Sequence, residues 1–136
     1  MIIGEVYKKG NSTVIETFAK PATEIASGLA VEKSADGVAL LNTGIAAGVS
    51  GRTTNATMSV IKSGLEVAVQ VDDVTIADGE AVYVNKTSHK FTNVSTDNTA
   101  VNAVFRSAKD TGAKLIDAKG NTTVVNGALI EFVGGL

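Results

Sequence analysis

The stretch GLEVAVQV, Gly64 to Val71, alternates without a break: Leu65, Val67, Val69 and Val71 fall on one face, Glu66, Ala68 and Gln70 on the other. A period of two over this length marks a β-strand with one buried face. No segment of the chain sustains a helical period; TNATMSVIKSG, Thr54 to Gly64, has room for one helical turn at most. Composition agrees. Aromatic residues make up 4% of the chain and Trp is absent, while Val, Ala, Thr and Gly abound. Small and β-branched side chains suit a pleated, half-buried surface. The expected fold class is therefore all-β, and 136 residues suit one domain with a core of its own.

Further strands follow from local pattern. AVYV and FTNV flank the polar tip NKTSHK as a hairpin, and AVFRS and KLI read as short strands. Asp78-Gly79 is a turn signal, and Asp117 to Gly120 (DAKG) suits a type I turn with Asp first and Gly last. Asn126-Gly127, between TTVV and ALIEFV, is the strongest hairpin signal in the chain, since both residues tolerate positive φ. The single proline, Pro21, divides the chain into an N-terminal arm or strand segment (1–20) and a β domain (21–136). MIIGEVY and TVIETF are strand-like, and an arm with an open edge invites pairing with another chain. Its apolar residues Ile2, Ile3, Val6, Tyr7, Val14, Ile15 and Phe18 are the candidate contacts to a partner subunit or another protomer. An internal echo is also present. GLAVEKSADG and GEAVYVNKTS both open G-x-A-V, and each is followed by an apolar strand ending in arginine, at Arg52 and Arg106. Two comparable hairpin units are expected.

Chemistry is sparse. Twelve basic against fourteen acidic residues give a net charge of −2, without the basic face that a nucleic-acid binder needs. The lack of Cys removes disulfides, thiol chemistry and Cys-based zinc sites. No signal peptide and no membrane helix is read. The sequons at Asn11, Asn55, Asn85, Asn93 and Asn121 are taken as coincidence in a chain rich in Asn and Thr. His89, the only histidine, sits between Ser88 and Lys90 and is expected as an exposed imidazole on a hairpin tip, with no second histidine to pair with it. Asp72, Asp73, Asp78 and Glu80 are interrupted by VTI and match no calcium-loop spacing. GVSGRTT lacks the Lys-Ser/Thr pair of a phosphate loop, so Arg52 and Arg106 are read as structural or interface cations. Neither catalysis nor a cofactor nor a metal is expected.

The order of these pieces, from SGLAVEKSADGVALLNTGIAAGVSGRT through SGLEVAVQVDDVTI and ADGEAVYVNKTSHKFTN to GALIEFVGGL, resembles the small capsid decoration, or cement, proteins of tailed bacteriophages. The resemblance covers roughly Thr23 to the C-terminus and rests on strands and glycines. It implies a small β-barrel-like or β-tulip-like domain of paired hairpins, made in the host cytoplasm and assembled as a homotrimer on the capsid exterior. There it would bind the major capsid protein and cement adjacent subunits. The alternative reading is a carbohydrate- or ligand-binding β-module of a fibre, tail or cell surface, with Tyr7, Tyr83 and Phe91 as the available aromatics.

Overall fold

A computed structural model describes residues 1–8, 13–35, 37–42, 46–54 and 56–133. Among these the protein is all-β, with no helix. The strands are β1 (Val6–Lys8), β2 (Val14–Ala19), β3 (Ala30–Ser34), β4 (Gly37–Leu40), β5 (Ala46–Thr53), β6 (Thr57–Ser63), β7 (Glu66–Gln70), β8 (Ala81–Val84), β9 (Phe91–Thr92), β10 (Thr99–Phe105), β11 (Asp110–Ile116) and β12 (Thr122–Phe132). They form two antiparallel sheets. One has the order β1-β7-β12-β10-β8-β9, with β11 on β12; the other has the order β2-β6-β5-β3-β4. The sheets do not close into a barrel, so the expected barrel-like shape holds only loosely.

The echo in the sequence is a repeat in the fold. Strands β2, β3, β4, β5 and β6 correspond in order and pairing to β7, β8, β9, β10 and β12. The registers of the β2–β6 and β7–β12 pairs agree residue by residue: Glu16 faces Val60 and Thr17 faces Ser59 in one unit, as Val67 faces Ile130 and Ala68 faces Leu129 in the other. Entry to the second strand of each unit is also the same. Gly28 donates to the Ser50 carbonyl (2.7 Å) and Ser50 donates to the Leu29 carbonyl (2.8 Å); Gly79 and Phe105 repeat this at 2.7 Å, and Phe105 and Glu80 at 2.9 Å. Both glycines have positive φ, 78° and 89°. With this register in hand, the shared sequence extends to IASGLAV and IADGEAV, which differ only at the third and fifth residues.

The units stack rather than mirror each other. Ala30, Val49 and Ile61 of the first sheet join Val69, Val82, Phe91, Phe105 and Ile130 of the second in the main core. The other face of the first sheet, with Val31, Val38, Met58 and Val60, gathers around Ile25 as a smaller cluster. The connecting segment before β3 joins the sheets. Gln70 donates from its backbone to the Gly28 carbonyl (2.9 Å) and from its buried side chain to the Ser27 carbonyl (2.7 Å).

Several expectations are corrected here. Asn126-Gly127 makes no turn; β12 runs straight through it. Glycine is required there for close approach, because a Cβ would stand 2.7 Å from Ile3 Cδ1 and 2.8 Å from Ala113 Cβ. The TNATMSVIKSG stretch forms strand β6 rather than a helical turn, with Met58 and Val60 directed into the smaller cluster. In β7, Ala68 and Gln70 are buried along with Val67 and Val69, so both faces are covered. The DAKG turn forms as expected. Gly120 donates to the Asp117 carbonyl (3.0 Å), and Asp117 Oδ1 accepts from the Lys119 and Asn121 amides at 2.9 and 2.8 Å.

The two equivalent glycines give a sharp test. A Cβ at Gly28 would overlap Ile3 Cγ2 and stand 2.9 Å from the Gln70 amide nitrogen, whereas one at Gly79 meets nothing within 4 Å. Gly79→Ala should cost about 1–2 kcal/mol from left-handed backbone strain alone. Gly28→Ala should cost about 3 kcal/mol or more, because overpacking adds to that strain. Urea unfolding of both variants measures the difference, and equal losses would refute the packing account.

Candidate interaction surface

The stretch expected as an arm is, over its described residues, part of both sheets. Ile3 donates to the Lys114 carbonyl and Lys114 to the Met1 carbonyl, both at 2.9 Å, alongside β11. Gly4 then donates to Ala68 (2.8 Å), and β1 pairs with β7. Ile3 is fully buried in its own chain, in the space that Gly28 and Gly127 leave open. Of the candidate contacts, Ile3 is therefore unavailable to a partner. Ile2, Val6 and Phe18 are half-buried, and Phe18 packs against the smaller cluster. Tyr7, Val14 and Ile15 are 47–49% exposed and join Val94, Val124 and Val133 as the exposed large apolar side chains among the described residues.

These three lie on two sheet edges. Tyr7 is on β1, where its hydroxyl accepts from the Ile2 amide (2.6 Å). Val14 and Ile15 open β2, whose outer edge carries no strand among the described residues. The repeat makes that edge informative: β1 covers the edge of β7, and the corresponding edge of β2 has no such cover among the described residues. Ile15 pairs in register with the buried Ile61, so its side chain lies on the core side of the sheet. Between it and Gly4–Val6 is a cleft of about 320 Å³, with Ser59 and Arg52 in its wall. Arg52 forms no ion pair among the described residues. Glu16 pairs with Lys62, and that hydrogen bond lowers its carboxyl pKa.

Several other polar residues are occupied in holding the fold. Arg106 bridges Glu131 (2.6 Å) and Asp78 (3.7 Å), and Lys109 binds Asp73 (2.6 Å), whose pKa that hydrogen bond lowers. Asp72 accepts from Asn85 Nδ2 (2.8 Å) and Ser88 Oγ (2.9 Å), while Glu80 accepts from the Ala77 amide and from Asn93 Nδ2. The four carboxylates considered for calcium thus share no partner, and the described residues contain no metal-binding cluster. His89 is not on a free tip. It is half-buried at φ 62°, its Nδ1 lies 2.9 Å from the Leu41 carbonyl, and its own carbonyl accepts from Ala30 at 3.3 Å. The imidazole donates from Nδ1 to the Leu41 carbonyl and links the two sheets. Phe91 is fully buried, which removes it from any aromatic binding face. The sequons at Asn11 and Asn55 lie outside the described residues.

No family model matches the chain, and neither does any curated protein or solved structure.

Three outcomes follow from this placement. Ile3→Ala should cost about 2–4 kcal/mol as a buried truncation, while Ile15→Ser at the open edge should stay within about 1 kcal/mol; thermal unfolding of both checks the contrast. His89→Ala should cost about 1–2 kcal/mol by leaving the Leu41 carbonyl without a donor, and an unchanged urea midpoint would contradict the sheet-linking role. The amide bonds from Asn121 and Lys119 lower the Asp117 carboxyl pKa. The turn's contribution should be complete above the ordinary carboxylate range and fade as pH falls through that lowered value. Carboxyl carbon shifts followed through an acid titration should place the Asp117 midpoint below the ordinary aspartate range.

Proposed function

We propose that this chain is a structural virion protein that binds the outside of an expanded phage capsid and cements adjacent subunits of the major capsid protein. The sequence pattern of hairpins and glycines supports the family reading. The observation that carries the contact assignment is the grouping of exposed Tyr7, Val14 and Ile15 on two neighbouring sheet edges, one of them uncovered. Exposed β-edges with apolar side chains are surfaces that other chains complete. A shell protein of this kind needs stable faces and edges rather than a titrating site, and Asp72, Asp73, Asp78, Glu80 and His89 are engaged in structural bonds. On this reading the protein works as a homotrimer at the capsid exterior after synthesis in the host cytoplasm. Ile2, Val6 and Phe18 flank the contact, and neither nucleic acid nor membrane takes part.

Mixing purified protein with expanded, undecorated heads tests the proposal. Saturable co-sedimentation at a fixed ratio to the major capsid protein is expected. Val14→Lys combined with Ile15→Lys should reduce head binding at least tenfold while leaving the melting temperature nearly unchanged. Absence of co-sedimentation by the unaltered protein would end the reading; full binding by the double variant would move the contact away from β2.

A further inference from the structure

The repeat shows where the two units part company. Lys20 donates to the Ala56 carbonyl (3.0 Å) as its counterpart Val71 donates to Asn126 (3.1 Å). At the next residue the match ends. Asp72 donates to the Phe91 carbonyl (3.0 Å), and Val71 bridges to Phe91, so the connecting segment of the second unit is fastened to β9. Asn93 Nδ2 adds a bond to the Thr75 carbonyl (2.8 Å). In the first unit the counterpart of Asp72 is Pro21, which has no N–H to give. The counterpart of Asn93 is Leu40, which cannot donate, and that of Phe91 is Val38, smaller by most of an aromatic ring. What is zipped shut in one unit stays open in the other.

The opening is an apolar groove of about 220 Å³ lined by Pro21, Ile25, Val38, Ala39 and Leu40, with Glu24 among its walls. Glu24 is exposed and has no ion pair among the described residues. We propose that this groove docks an extended segment of a partner protein that presents an aromatic side chain beside a Lys or Arg. Each part of the occupant answers a difference between the units. The ring takes the volume that Phe91 fills in the second unit. A backbone N–H of the segment meets the Val38 carbonyl, as the Asp72 amide meets that of Phe91. The cation faces Glu24, the one charged residue of the lining, in which Thr23 is the other polar side chain, and there charge complementarity selects the partner. The groove is lined by none of the residues of the β1 and β2 edges discussed above, so the inference stands apart from the shell reading.

The test uses the full chain with isotopically labelled methyl groups and the synthetic peptide acetyl-Thr-Val-Phe-Lys-Val-amide. Two control peptides replace the Phe by Ala or the Lys by Glu. Saturable shifts at the methyls of Ile25, Val38 and Leu40 are expected with the first peptide, and about tenfold weaker binding with either control. Val38→Phe, which supplies the missing ring from within, should abolish the shifts while keeping or raising the melting temperature; Leu40→Asn, restoring the second unit's tie, should do the same by another route. No saturable shift at millimolar peptide overturns the proposal, as does equal binding of the controls or binding retained in both variants. Concentration-dependent shifts at the same methyls without peptide, lost in Val38→Phe, would overturn the partner assignment in favour of a second copy of this chain.

Discussion

The structure depends on one short piece of backbone that belongs to both sheets. Residues 27–29 exchange bonds with β5 on one side and accept from Gln70 of β7 on the other. Only a residue without a side chain passes between Ile3 and the Gln70 amide at that point, and only a left-handed φ turns the chain into β3 there. Ser50 completes the joint. Its buried hydroxyl donates to the Ala26 carbonyl (2.6 Å) and accepts from the Leu29 amide (3.0 Å), so the polar groups of a buried connection are met from within. His89 provides a second tie between the sheets through Leu41 and Ala30. With two such joints, sliding one sheet over the other would break buried hydrogen bonds as well as apolar contacts.

The repeated unit explains why a chain so poor in aromatics folds at all. Each unit alone is a five-stranded sheet, and the first carries buried apolar residues on both of its faces. Stacking them in the same sense sets the apolar face with Ala30, Val49 and Ile61 against that with Val82, Phe91 and Ile130. Phe91 and Phe105, both fully buried, lie at this junction, so much of the scarce aromatic content is placed between the units. The first unit has no Phe at either counterpart position: Val38 and Ser50 stand there instead. The second unit also carries an inserted strand, β11, which has no equivalent in the first and gives the N-terminal residues an edge to pair with.

Much of the fold was legible in the sequence where the signal is local. The strand β7, the hairpin of β8 and β9, the DAKG turn and the echo of the two G-x-A-V stretches depend on alternation and turn residues within a few positions. What sequence reading missed depends on distant contacts. Asn126-Gly127 has the residues of a tight turn, yet Gly127 is there for Ile3 and Ala113, far away along the chain. Ile3 read as a free apolar residue because nothing near it announces the space between Gly28 and Gly127. His89 read as exposed because its neighbours are polar, and the Leu41 carbonyl that binds it lies on another hairpin. Of the candidate surface, Tyr7, Val14 and Ile15 were legible as apolar strand residues; which of the seven would be exposed was set by tertiary packing alone. The groove beside Pro21 was visible only as a proline, since its meaning comes from comparison with Asp72 in the second unit.

The pairing of the N-terminal residues with β11 also sets an order of events. Strands β2 to β6 have all their partners within the first half of the chain, so their sheet can form as soon as that half exists. Residues 1–8 pair instead with β7 and with Lys114, and β7 itself is completed by β12. During synthesis residues 1–8 thus wait for strands made much later before they find their places. Until β11 and β12 emerge, Ile3 has no pocket, and the young chain carries an apolar stretch that a chaperone or a neighbouring nascent chain can reach.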